Sequence, residues 1–283
     1  MADLKAITNW LGANLPGSAG GPTTPPSLYC SIIRILAIAA TALPTLTIPA
    51  APKFTVPPPS LSPKFADTAR TNLNHWKAQY AKNPASNTNA SQLARAYFLM
   101  GEFATNKTHR AKLAHAGIEI SQTLIDRVPQ LAEGWYYHGL NSGQFARTKM
   151  LGALSLVRGM ERSFQRSISI NPRLDHAGAH RCLGLLYRDA PGWPISVGSR
   201  KKARHHLDTA NRLAPAYPEN PLILMETWIR WRDNTSLKRD AKTYVHVHTK
   251  AQEKFKGEKW TAYWADWNAR WNKISSKIEK IAD

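Results

Sequence analysis

His176 and His180 stand four residues apart in Asp175-His176-Ala177-Gly178-Ala179-His180-Arg181, the spacing at which a helix turns two imidazoles onto one face and within reach of a shared metal ion or anion. Two ligands do not make a metal site. No carboxylate or third histidine follows at a ligand spacing, and no glutamate follows the first histidine as a zinc protease would need. The pair is therefore read as a contact for an anion or a partner, with Arg181 adding a cation on the neighbouring face; no metal and no cofactor is expected. A second concentration lies in Glu133-Gly134-Trp135-Tyr136-Tyr137-His138-Gly139-Leu140-Asn141, where Tyr137 and Asn141 share a face and Gln144 follows one step along. With Lys149 and Tyr187, these residues offer an aromatic wall and hydrogen-bonding groups for a ligand or partner. The alternative is that Trp135, Tyr136 and Tyr137 fill the contact between neighbouring units. No Gly-rich phosphate loop, Gly-x-Ser-x-Gly elbow, paired acidic motif or Cys-His arrangement appears. The chain reads as a binding protein and not as an enzyme.

The elements that carry these residues follow from a repeat. Pro84, Pro129, Pro172 and Pro215 recur at intervals of 45, 43 and 43 residues, each closing a helical pattern. A period of this size marks stacked supersecondary units, none of which can bury its apolar face alone. In the best-formed unit Ala203, Leu207 and Ala210 give the small, large, small spacing of a tetratricopeptide second helix, and Leu183, Gly184 and Tyr187 mark its first helix. One unit earlier Gly139 holds the glycine position and Phe164 the large one; in the first unit Tyr97 and Gly101 do so, with the small position near Gly117 poorly defined. The units exceed the usual length of about 34 residues, so the turns inside them, at residues 150–159 and 189–198, are expected to be lengthened. HEAT-like repeats have a nearer period but do not call for these Gly and Ala positions. The fold class is all-α: a tetratricopeptide-like helical-hairpin solenoid whose first helices line the concave surface.

The chain has 283 residues, 43% of them hydrophobic, and 38 Lys and Arg against 19 Asp and Glu, a formal charge of +19. That balance suits an acidic partner, although the basic residues are dispersed as on solvated helix faces. Nucleic acid is not expected, because no basic and aromatic pattern on a recognised module accompanies the charge.

Three regions follow. Residues 1–60 form a leader or Pro-rich arm whose apolar run at residues 32–43 reads as an export signal with a cleavage point near Ala50 and Ala51, an uncleaved anchor and a disordered arm being the alternatives. Residues 61–257 form the solenoid. Residues 258–283 form an amphipathic helix on which Trp260, Trp264, Trp267 and Trp271 make one indole stripe. That helix reads as a cap over the solenoid's end, with an oligomer contact or peripheral membrane contact as alternatives. Cys182 is left as a single thiol in a mature chain, and Trp193 is expected to anchor the long turn against the body.

At Gly184-Leu185-Leu186-Tyr187-Arg188-Asp189-Ala190-Pro191-Gly192-Trp193-Pro194, and again from Gly198-Ser199-Arg200-Lys201-Lys202-Ala203 to Ala214-Pro215, the chain resembles the TatT family of periplasmic tetratricopeptide-like proteins associated with TRAP-type transporters. The resemblance implies an all-helical fold, export to the periplasm, trimerisation around a pore, and interaction with an extracytoplasmic solute-binding protein carrying a small organic anion. The N-terminal extension and the Trp-rich tail depart from that pattern, and a general scaffold gripping a peptide or protein on its concave face, in the cytoplasm if the chain is not exported, stands as the alternative.

Overall fold

The computed structural model describes residues 63–149, 153–257 and 260–282. The leader lies outside them. Ten helices run through the described residues: α1 (Pro63–Lys82), α2 (Asn87–Glu102), α3 (Lys107–Arg127), α4 (Ala132–Ala146), α5 (Ala153–Ile170), α6 (Leu174–Asp189), α7 (Arg200–Leu213), α8 (Glu219–Trp231), α9 (Asn234–Lys254) and α10 (Thr261–Ala282). No strand occurs among the described residues beyond one isolated bridge, Gly192 to Gly198. No described helix is long and apolar enough to cross a membrane.

The periodic prolines punctuate this order. Pro84, Pro129, Pro172 and Pro215 stand just past the ends of α1, α3, α5 and α7, where a residue without an N–H and with fixed φ cannot continue the helix. Four starts, those of α2, α3, α7 and α9, are set by side-chain caps: Ser86, Asn106, Ser199 and Asp233 accept from the backbone N–H three residues on, at 2.8 to 3.3 Å. The result is four hairpins, α2–α3, α4–α5, α6–α7 and α8–α9, stacked in sequence with α1 packed on α2 and α10 on the last hairpin.

The small-and-large pattern explains the tight hairpins. A Cβ at Gly139 would fall 2.7 Å from the Phe164 ring, and one at Gly184 would fall 2.5 Å from Leu207. Only glycine lets these helices approach that closely. Arginines stitch one unit to the next: Arg127 donates to the Pro84 carbonyl at 2.8 Å and Arg173 to the Leu213 carbonyl at 2.6 Å. A continuous apolar core runs from Ala94 and Phe98 on α2 to Trp267 and Ile274 on α10.

Two expectations are corrected. The connection expected over residues 150–159 is shorter, because α5 begins at Ala153 and buries Val157 and Met160. In addition, α6 does not begin as a regular helix. Asp175, His176 and Ala177 have φ of 49°, 53° and 64°, so a left-handed turn precedes the right-handed body.

Candidate functional site

The expected groove residues of α4 point into the solenoid. Asn141 is fully buried and donates to Ala94 O at 3.0 Å and to Tyr137 O at 2.9 Å. Gln144 is equally buried, bonding Phe98 O at 3.4 Å and the Glu102 carboxylate, which Arg147 also holds at 2.8 Å. This ladder at three-residue steps ties α4 to α2. Gly117 on α3 makes room for it, since a Cβ there would fall 2.2 Å from Asn141 Oδ1. Tyr137 is buried, and burial raises its phenol pKa. Lys149 alone of this group is exposed, with its ammonium 4.6 Å from the Phe145 ring. Phe145 also lines a shallow depression of about 370 Å³ with Ala111, Lys112, His115, Ala116 and Glu119.

Arg181 is the centre of a second network. Its side chain is fully buried and donates to His176 O at 2.6 Å, to Asp175 O at 3.0 Å and to Asn220 Oδ1 at 3.1 Å, with the Asp175 carboxylate at 3.3 Å. Tyr136 donates to the same carboxylate at 2.7 Å. Left-handed backbone costs roughly 1–2 kcal/mol per residue, and these bonds to the carbonyls of the turn hold it in place. The consequence corrects the sequence reading: His176 and His180 do not share a face. His176 stacks on Tyr217 with ring centroids 4.2 Å apart, while His180 packs on His206 of α7.

The partner of His180 is His206 on α7, Nδ1 to Nδ1 at 2.9 Å, a pairing across the hairpin that spacing along one helix does not reveal. Burial pushes both imidazoles down to about 4, aided by His205 and Arg212 beside His180 and by His180, His205 and Lys202 beside His206. Both are therefore neutral at pH 7, and one donates to the other. Tyr187 closes this corner, donating to Glu161 at 2.6 Å and accepting from Gln165 at 3.3 Å. Among the described residues no group of three or more His, Cys, Asp and Glu side chains is placed to hold a metal ion.

The indole stripe of α10 is turned inward. Trp260 and Trp267 are buried, Trp267 donating to Glu219 at 3.0 Å; the partly buried Trp264 donates to Phe255 O at 2.8 Å. Arg270 is gripped by three carboxylates, Glu219 and Glu226 of α8, each at 2.7 Å, and Asp266 at 3.3 Å. Burial drives the Glu219 carboxyl up to about 7; Arg270 opposes the rise and Asp266 adds to it.

Among the described residues the exposed tryptophan is Trp193. It is 88% exposed beside Ile195 at 54%, so it does not anchor the long turn as expected. The loop is held at its base instead: Gly198 N–H donates to Pro191 O at 2.8 Å and Ser199 N–H to Tyr187 O at 2.9 Å. A Cβ at Gly198 would fall 2.1 Å from Ala190 O. Arg200, Lys201 and Lys202 follow, all exposed.

Fold and repeat geometry define a tetratricopeptide-like helical solenoid. The structure is similar to the thermophilic tetratricopeptide protein TTC0263 of Thermus thermophilus, with a TM-score of 0.53 and 18% identity over 74% of this chain and 91% of that one. A second match, to yeast Tom70, has a TM-score of 0.34 and 12% identity over 99% of this chain and 61% of that one. No protein-family model matches the chain, and no curated protein matches it.

Proposed function

We propose that the protein is a non-catalytic scaffold that docks an acidic protein partner on the Trp193 loop and the basic start of α7. The observation that carries this reading is a large apolar side chain held out to solvent, 88% exposed, on a loop whose base is pinned by backbone hydrogen bonds. Tryptophan and arginine dominate the energetics of protein interfaces, and a fixed loop loses little freedom on docking. Arg200, Lys201 and Lys202, in a chain of net charge +19, select an acidic partner and speed its approach. A photo-reactive amino acid placed at position 193 in the native host yields one discrete protein adduct, which the charge reversal Lys201→Glu weakens. Adducts no stronger than those from the exposed position Thr249 would sink the assignment.

A second reading rests on the resemblance of residues 184–215: an exported accessory of a TRAP-type uptake system, acting on a solute-binding protein and a small organic anion, as a trimer. Its test is the mature N-terminus. A periplasmic product beginning near Ala51 supports it, and a cytoplasmic chain starting at Met1 overturns it.

A further inference from the structure

Arg95, on the first helix of the first hairpin, is only 3% exposed, and its Nε and Nη2 are sealed from solvent without a hydrogen-bond partner. Nη1 reaches Gln92 Oε1 at 3.3 Å. A guanidinium out of water is costly unless its donors are met, and among the described residues no carboxylate lies within ion-pair distance of it. The unmet pair of donors is informative, because Nε and Nη2 form the edge that takes both oxygens of a carboxylate at once.

The same molecule uses that edge twice elsewhere. Arg188 holds Asp189 with Nε at 2.9 Å and Nη2 at 2.8 Å, and Arg270 holds Glu226 with Nε at 2.7 Å and Nη2 at 3.0 Å. In both cases the arginine is largely buried and the carboxylate is supplied by the chain. Arg95 presents the matching edge with none supplied. Its positive charge acts on the buried phenols of Tyr137 on α4 and Tyr263 on α10, opposing the rise that burial imposes on each.

We infer that Arg95 is the anchor of a binding site for a small organic monocarboxylate, held bidentately at Nε and Nη2. The enclosure of both nitrogens selects a free acid over the side chain of a folded partner. This deepens the small-anion part of the second reading but is independent of where the chain acts, so a purified protein tests it whether or not the chain is exported.

The experiment is thermal melting and titration calorimetry of the full chain with acetate, benzoate and phenylacetate at constant ionic strength. Benzamide serves as the neutral counterpart of benzoate, and an acetylated dipeptide with a free C-terminal carboxylate is compared with its amide. At least one free acid raises the melting temperature and benzamide does not. Arg95→Met removes the effect, weakening binding roughly 100-fold for the loss of two charge-assisted bonds. Arg95→Lys, which keeps the charge and loses the fork, weakens it less, and serves alone should Arg95→Met fail to fold. Without ligand, Arg95→Met melts no lower than the parent, because it removes a buried charge that no described carboxylate meets. Equal effects of benzoate and benzamide, no response to any of the three acids, or undiminished binding by Arg95→Met would each overturn the inference, and a response to the peptide acid alone would transfer the site to a protein terminus.

Discussion

The histidine chemistry of this chain works by contact across a hairpin. His180 and His206 are held neutral, each with a pKa near 4 against an ordinary value of 6.5. A group whose folded pKa is depressed in this way, when its neutral form is the one buried, contributes stability that is present above pH 6.5 and lost as pH falls toward 4. Partial solvent access tempers the effect to about 1 kcal/mol for each histidine between pH 7 and 5. His206→Gln keeps a hydrogen-bonding group beside His180 and removes one titrating ring. Urea unfolding at pH 7 and pH 5 will show a smaller loss on acidification for this variant than for the parent; equal losses would mean that the pair does not titrate as described. Cys182, by contrast, is buried with its thiol pKa raised, which keeps it in the unreactive protonated form.

At the scale of elements, the seat of α10 depends on one arginine shared among three carboxylates. Glu219, with a folded pKa raised from 4.5 to about 7, contributes stability that is fully present below pH 4.5 and lost as pH rises through 7. Its window overlaps that of the histidines with the opposite sign, so the two devices oppose each other in mild acid. Glu219→Gln retains an acceptor for Trp267 and Arg270 while removing the charge. Between pH 5 and 8 the parent loses about 1–2 kcal/mol from this group and the variant does not, as measured by denaturant unfolding at the two pH values. A parent profile that is unchanged by the substitution would remove Glu219 from the account. The left-handed turn at the start of α6 is the other element-level device: Arg181 holds it through the Asp175 and His176 carbonyls. Arg181→Met leaves the Asp175 carboxylate buried without its cation and is expected to cost about 3–5 kcal/mol, seen as a lower denaturation midpoint.

For the whole molecule, the placement of tryptophans separates structure from recognition. Trp267 is fully buried at the junction of α10 with the last hairpin, and Trp193 stands in solvent. Trp267→Ala therefore costs about 3–5 kcal/mol, whereas Trp193→Ala changes stability by less than about 0.5 kcal/mol and, under the proposed function, weakens partner binding. Paired melting curves of the two variants check this, and a large loss for Trp193→Ala would mean that the loop packs on the body after all.

Much of the fold was legible because its determinants are local. Prolines at a fixed period end helices through their own missing N–H, and Gly139 and Gly184 mark close packing through their own missing Cβ. Those features fix the all-helical hairpins without reference to distant residues; the inward turn of the α10 stripe depends on Glu219, 48 residues before Trp267. The site was less legible. His176 and His180 share a face only on a regular helix, and Arg181 with Asn220, 39 residues later, reverses the turn that would have joined them. Asn141 and Gln144 have the chemistry of groove residues, yet the stacking of α4 on α2 spends their amides on carbonyls 47 and 46 residues away. The exposure of Trp193 and the unmet edge of Arg95 depend on what the rest of the chain fails to bring near them, which spacing along the sequence does not encode. Local covalent properties determined the elements; only the tertiary packing, by pairing some polar groups and leaving others without a protein partner, decided which residues are available for recognition.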